Sequence, residues 1–214
     1  MVKFIKSRAE EILNAINFSG KKVLDLGCIG WELETKEYGG LAFIHQKIKK
    51  VAKKLVGIDI NKKAIEKYKK RGFDLRSHNL EEPFNLKEKF DIIVAMEIIE
   101  HLNNPGIFLE SIKRHLDKKG VLILSAPNAQ GVSFFFQRLL KDKISGVATD
   151  DHTHWHSKET LGVLLKRKGF KIKKIWCVQE IPMVKSLKWS IIKPFWFLFP
   201  EYMGRNIICI AVKE

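Results

Sequence analysis

Short β-rich runs alternate with helical patterns from one end of this chain to the other, and that rhythm permits few folds. Val23–Leu26, Leu55–Ile60, Phe73–Arg76, Asp91–Ala95, Val121–Ser125 and Lys171–Val178 read as strands. Most of them are apolar at successive positions, so both faces need cover, as in a buried parallel sheet. Between them, Lys3–Ile16, Leu41–Lys53, Lys62–Arg71, Ile107–His115 and Lys158–Lys168 carry apolar residues at helical spacing. Gly72, Gly120 and Gly169 each follow a helical stretch with lysine or arginine in its last turn, a C-cap signature. Asn206–Val212 is a further apolar run with no helix after it. The expectation is an α/β fold: a doubly wound, mostly parallel sheet of about seven strands, the last one antiparallel, with helices on both faces.

The 214 residues, 45% of them hydrophobic, suffice for one such domain with a full core and are too few for two. The chain therefore reads as a single domain over residues 1–214. Residues 129–156 and 179–205 interrupt the rhythm and read as inserted lid segments. The first holds Phe134-Phe135-Phe136 and Leu139-Leu140 around Arg138 and Lys141. The second holds Trp189, Phe195, Trp196, Phe197, Phe199 and Tyr202 among Lys185, Lys188 and Lys193. Aromatic and basic cover of this kind suits an amphipathic or lipid-linked acceptor at a membrane surface, and it equally suits ordinary packing.

No run reaches the ~18 apolar residues of a spanning helix, and the amino terminus lacks the apolar core of a signal peptide. The three cysteines, Cys28, Cys177 and Cys209, are far apart and form no metal spacing. A reducing, cytoplasmic setting follows, with peripheral membrane contact compatible with it. The net charge of +15 raises a nucleic-acid reading. The lysines, however, are spread along the chain as solvent-facing partners of apolar stripes, as in KIKKVAKK and NKKAIEKYKK. A lysine-rich surface is favoured over nucleic-acid binding.

The first strand ends in VLDLGCIG, residues 23–30, and the second in VGIDIN, residues 56–61. In a doubly wound sheet both ends meet at the carboxyl edge, where ligands bind. Gly27 lets backbone approach a ligand without a Cβ in the way. Asp59, at the tip of the second strand, offers two acceptor oxygens to a pair of ribose hydroxyls. The loop Gly27-Cys28-Ile29-Gly30-Trp31 lacks the G-x-G-x-x-G of a dinucleotide site. Asp25, Glu32 and Glu34 would repel a pyrophosphate and attract a ligand carrying an ammonium and a sulfonium. The electrostatics favour S-adenosylmethionine over NAD and make a dehydrogenase the least favoured reading.

VLDLGC, VGIDIN, NLEEPF and FDIIVAMEIIEHLNNPGIFLESIKRHLDKKGVLILSAPN resemble the successive motifs of class I, Rossmann-like S-adenosylmethionine-dependent methyltransferases. DHTHWHSKETLGVLLKRKGF is similar to the segment that often follows them. The resemblance departs from the family at the loop, where Ile29 and Trp31 replace later glycines. The stretch from Asp25 to Asp59 is also longer than the ~20 residues usual in such units. The resemblance implies that Asp25, Gly27 and Cys28 lie near the methionine moiety and that Asp59 holds the ribose. It implies that Ile60 packs on the adenine, that Asn79 and Leu80 sit at its edge, and that Met96 and Glu97 close the pocket.

Methyl transfer is an in-line displacement that needs orientation and, for a hydroxyl or amine acceptor, a base. Glu97-Ile98-Ile99-Glu100-His101 supplies candidate catalytic residues, because offsets of three and four put Glu97, Glu100 and His101 on one face of a helical turn. Asp151-His152-Thr153-His154-Trp155-His156 is a second cluster, with His152, His154 and His156 on one side if extended. Glu97, Glu100, His101 and His152 together form a candidate site for a divalent metal, and the resemblance extends to metal-assisted methyltransferases. The alternative is a metal-free turn in which His101 orients the loop and Ser157 caps the next helix with Glu159 or Thr160 nearby. His45, on a helix among apolar residues, reads as packed in the core, and His78 as facing the pocket rim.

The leading function is methyl transfer to oxygen on a small or lipid-linked acceptor. An RNA methyltransferase and a non-catalytic S-adenosylmethionine-binding protein are the alternatives. The first is weakened because no NPPY-type motif or RNA-binding domain is found, the second because Asp59 and Glu97–His101 are retained.

Overall fold

The computed structural model describes residues 3–29, 43–131, 151–180 and 204–214. The described strands are β1 (Lys3–Ile5), β2 (Lys22–Leu26), β3 (Lys54–Asp59), β4 (Leu75–Ser77), β5 (Phe90–Met96), β6 (Leu116–Pro127), β7 (Phe170–Glu180) and β8 (Asn206–Lys213). They form one sheet in the order β1-β7-β8-β6-β5-β2-β3-β4. Every pairing is parallel except those of β8 with β6 and β7. The doubly wound sheet with an antiparallel last strand is therefore as expected from the sequence, with one strand more.

That strand is β1. The helical period over Lys3–Ile16 is split: Lys3–Ile5 pairs with β7, and only α1 (Arg8–Ala15) is helical. Ser7 makes the break, its extended backbone leaving its side chain to accept from the Glu10 N–H at 3.1 Å. Edge pairing with β7 overrides the local periodicity, which strand geometry at three residues is too short to reveal.

The remaining helices are α2 (Phe43–Lys49), α3 (Lys62–Lys69), α4 (Pro105–His115) and α5 (Lys158–Arg167). Their starts are local events. Asn61 and Asn104 cap α3 and α4, with Pro105 at the first turn of α4. Ser157 and Thr160 form a reciprocal capping box on α5. Gly72 and Gly169 take the left-handed conformation after their helices. Gly120 does not: α4 ends at His115 with Leu116 already extended, and Gly120 lies inside β6.

Alternate strand residues feed two apolar layers. Leu24, Ile58, Ile93 and Leu122 pack under Phe108 and Ile112 of α4 and Leu161 and Leu165 of α5. Val23, Leu55, Val94 and Ile123 pack under Ile12 of α1 and Ile44 and Ile48 of α2. Each fully buried large side chain contributes roughly 1.5–3 kcal/mol. The bodies of the two segments read as lids, residues 132–150 and 181–203, lie outside the described residues, as do Gly30, Trp31, Glu32 and Glu34. Gln179 and Glu180 belong to β7.

His115 closes the lower end of α4. Its Nδ1 meets the Ser111 carbonyl at 2.7 Å, its Nε2 accepts the Leu86 N–H at 2.8 Å, and its ring stacks on Phe84. Only the neutral ring satisfies both contacts. Burial pushes its pKa below the ordinary histidine value, and Lys89, Arg114 and Lys213 add to this against the Ser111 carbonyl. The unfolded chain therefore takes up this proton first. The stabilisation is complete above about pH 6.5 and is lost as pH falls through the lower folded value. Urea midpoints should fall as pH drops from about 7 to 5. His115→Gln should flatten that slope while costing about 1–3 kcal/mol at neutral pH; an unchanged slope would show that His115 is not responsible.

Candidate active site

β2, β3 and β5 are adjacent and parallel, so Leu26, Asp59 and Met96 end together at the carboxyl edge. The loop after β2 turns sharply there. Gly27 has φ +71°, and a Cβ at this position would overlap the Ile98 side chain. An L residue is thus excluded both by conformation and by space. The Gly27 and Cys28 N–H groups donate back to the Ile58 carbonyl, at 2.8 and 3.3 Å.

Asp59 braces this turn. Its two oxygens accept from the Ile29 and Asn61 N–H groups, each at 2.9 Å. Burial raises its pKa, while the N–H groups of Asn61, Ile29 and Ile60 hold it down and Asp25 raises it further. Asp25 is almost wholly buried and bonds through Oδ2 to Nδ1 of His45 at 2.8 Å. His45 is buried as expected, but its place beside apolar residues in α2 concealed that it reaches Asp25.

The turn after β5 differs from a continuous helix. Glu97 has φ +51°, in the left-handed region that a non-glycine residue rarely adopts, and the helical turn covers only Ile99–His101. Glu97 is held by the Ser125 hydroxyl at 2.8 Å, the Asn206 amide at 3.1 Å and the Arg8 guanidinium at 2.5 Å. Arg8 also bonds Glu180 at 3.2 Å. Burial opposes the Arg8 charge, but Glu97 and Glu180 more than offset it and raise its pKa. Glu97 thus stands apart from Glu100 and His101, because the offset argument assumes helical backbone from its first residue.

Glu100, His101 and His152 do come together, each with a ligand atom within 4.8 Å of the others. Thr153 fixes the histidine loop onto the turn, its N–H meeting the Glu100 carbonyl at 2.8 Å and its hydroxyl the Leu102 carbonyl at 3.0 Å. The His101 and His152 rings lie 4.6 Å apart, whereas His154 and His156 stack on each other. Asp151 faces Nδ1 of His101 at 3.0 Å. Both Glu100 oxygens are buried without a hydrogen-bond partner. Burial, and then the Glu97 charge, push the Glu100 carboxyl well above the usual range. Burial, with His101 next to it, lowers the His152 pKa, which favours a neutral ring with a free lone pair.

A cavity of about 710 Å³ runs along this edge. Asp25, Gly27, Asp59 and Ile60 line it from β2 and β3, and His78, Asn79 and Leu80 from the loop after β4. Met96, Glu97 and His101 line it from beyond β5. Cys28 does not: it is buried among Ile29, Ala64 and Ile65 beneath α3, where burial pushes its thiol up. The wall also includes Asp151 of the histidine cluster, and Arg8 and Phe43, which no motif singled out. They come from elements remote in sequence, and only the sheet order brings them in.

A family model described as "Methyltransferase domain" matches residues 1–175. The chain belongs to the class I methyltransferase family. It is 29% identical over 161 residues to the mitochondrial ubiquinone biosynthesis O-methyltransferase of Rattus norvegicus, covering 73% of this chain and 46% of that protein. It is 30% identical over 123 residues to the ubiquinone biosynthesis O-methyltransferase of Pelagibacter ubique, covering 54% of this chain and 45% of that one. This methyltransferase chain thus spans about half the length of these curated relatives. A S-adenosylmethionine-dependent methyltransferase from Archaeoglobus fulgidus shares the fold, with TM-score 0.64 and 16% identity over 98% of this chain and 92% of that one.

Asp59→Ala should weaken binding of S-adenosylmethionine or its demethylated product by about 1.5–3 kcal/mol, the worth of hydrogen bonds to a charged group. Titration calorimetry measures this, and wild-type affinity in the variant would remove Asp59 from the site.

Proposed function

We propose that this methyltransferase moves a methyl group from S-adenosylmethionine to an oxygen of a small or lipid-linked acceptor. The observation that carries this is the single cavity joining the Asp59 end of the edge to the corner built by His101 and Asp151. The residues present fit the donor: Gly27 excludes a Cβ from the loop, Ile60 stands two-thirds exposed beside Asp59, and carboxylates rather than cations line this end. When bound, S-adenosylmethionine supplies an already activated methyl on its sulfonium. The chain then has two tasks. It holds donor and acceptor in line, which can supply roughly 7–11 kcal/mol. It also takes the acceptor's proton, and His101, oriented through Nδ1 by Asp151, is the base in reach of the cavity.

The names of the rat and Pelagibacter relatives support oxygen as the acceptor atom and a quinone-type, lipid-linked acceptor. β6 ends at Pro127 and β7 at Glu180 on the same edge. The strand ends from which the segments 129–156 and 179–205 depart therefore stand at the edge that holds the cavity, and the aromatic residues expected to contact the acceptor, within 132–150 and 181–203, lie outside the described residues. No described helix is long and apolar enough to cross a membrane. Contact with a lipid-linked acceptor at a membrane surface, reached from the cytoplasm, is part of this proposal and rests on the quinone-biosynthesis names of the relatives.

In a second form of this reading a divalent metal, not His101, activates the acceptor, because Nδ1 faces Asp151 and the lone pair left on Nε2 cannot serve both a metal and the acceptor's proton. Glu100, His101 and His152 would hold it, since the two unpartnered Glu100 oxygens and a neutral His152 form a mixed oxygen and nitrogen donor set. There it would lower the pKa of an acceptor hydroxyl. Glu97, whose oxygens are taken by Arg8, Ser125 and Asn206, would act on this group only through its charge.

His101→Ala should lower kcat by ~10²–10⁴-fold on a short-chain catechol quinone precursor and leave donor affinity unchanged. Mass spectrometry of the product locates the methyl group; transfer to nitrogen, or to RNA in preference to the catechol, would overturn the oxygen reading. Manganese or zinc should raise the melting temperature of the wild type in proportion to occupancy, and Glu100→Gln should remove that rise. Full activity after exhaustive chelation would dismiss the metal.

A further inference from the structure

Asp25 sits in the middle of the carboxyl edge with almost no access to water, and a carboxylate so buried needs a partner. Among the described residues its partner is not in the loop or on a neighbouring strand. His45 reaches it from α2, across the packing layer between helix and sheet, with Nδ1 2.8 Å from Oδ2. A carboxylate only accepts, so Nδ1 carries the proton. The sheet is shaped for this ring. Gly57 of β3 is the residue in register with Asp25, and a Cβ on it would stand 2.5 Å from Leu75, 2.6 Å from the Cys28 sulfur and 2.9 Å from the His45 ring. Phe73 closes the far side, its ring 5.9 Å from the imidazole. A glycine in the middle of a buried strand weakens it, and here it leaves the room in which the imidazole, the Leu75 side chain and the Cys28 sulfur meet.

We propose that His45 is a positioning residue for the donor: it fixes the Asp25 carboxylate in one orientation, so that the oxygen not bound to His45 is presented to the ammonium of the methionine moiety. This rests on the reading of the cavity as an S-adenosylmethionine site. His45 itself is absent from the cavity wall, while Asp25 lines it. The imidazole therefore acts only through Asp25. It bears on the amino-acid end of the ligand and leaves the adenosine end, at Asp59, untouched.

Two ligands separate the ends. S-adenosylhomocysteine carries the amino-acid tail, and 5′-methylthioadenosine keeps the same thioether and nucleoside without it. By calorimetry on the full chain, His45→Leu should weaken S-adenosylhomocysteine tenfold or more and methylthioadenosine less than twofold. His45→Gln, whose amide can donate to Asp25, should recover part of the loss. Asp25→Asn should lose as much, and the double variant Asp25→Asn with His45→Leu should lose no more than either alone. In ¹⁵N-labelled wild type, the His45 Nδ1–H resonance should shift with S-adenosylhomocysteine and stay in place with methylthioadenosine, a readout that survives if a variant fails to fold. Equal weakening of both ligands, additive losses, or a resonance indifferent to the tail would overturn the role of His45. A wild type that binds neither ligand would instead overturn the reading of the cavity, and the proposal with it.

Discussion

The parallel register of β2 with β3 and β5 is the constraint on which the rest of the molecule depends. Because all three strands run the same way and are buried on both faces, their carboxyl ends converge on one edge. Chain leaving that edge has lost its ladder partners, and its polar groups must find others. Gly27 and Cys28 donate back to Ile58, Asp59 accepts from Ile29 and Asn61, and the Glu97 N–H meets the Ser125 carbonyl. The cavity is what remains between these self-satisfied turns.

Charge follows the same geometry. Asp25, Asp59, Glu97 and Glu100 lie at the carboxyl edge, each with restricted access to water. Three are neutralised or braced: by His45, by backbone N–H groups, and by Arg8 with Asn206 and Ser125. Glu100 is the exception, and burial has shifted it toward its neutral form. Apart from Arg8 at the cavity, the basic residues that end the helices sit at the other edge. α2, α3, α4 and α5 carry Lys49, Lys69, Arg114 and Arg167 in their last turns, at the amino edge of the sheet, where positive charge offsets the helix dipole. These last-turn lysines and arginines therefore have a local electrostatic reason that requires no nucleic acid.

Among the described residues Lys87 and Glu97 are the two non-glycines with left-handed backbone, and Glu97 stands beside the cavity. Left-handed backbone at Glu97 costs of order 1–3 kcal/mol and persists because its surroundings over-determine it. Arg8 comes from the first helix, Ser125 from β6 and Asn206 from β8, so three remote pieces of chain hold one side chain. The same turn presents the Glu100 carbonyl to Thr153, which brings the histidine loop alongside. Loop and turn are thus a single unit fastened by backbone hydrogen bonds, and that fastening is what sets His152 against His101.

The sequence by itself determined the architecture, because strand and helix periods are local and the alternation of apolar runs admits little but a doubly wound sheet. It also determined the glycine turn and the strand-end aspartate, since those depend on residues next to each other in the chain. It could not reveal β1, whose strand character comes from an edge 175 residues away in β7 rather than from its own pattern. Nor could it separate Glu97 from Glu100, because the spacing argument holds only while the backbone stays helical, and φ at Glu97 is set by tertiary contacts. Cys28 and Ile29 are neighbours in the loop, yet only Ile29 reaches the cavity, since the turn at Gly27 sends the thiol beneath α3. The pairing of His45 with Asp25 was decided by the packing of α2 on the sheet, in a volume that Gly57 leaves open to the ring, Leu75 and Cys28 alike. Such volumes exist only once the layers have packed, and no spacing along the chain encodes them.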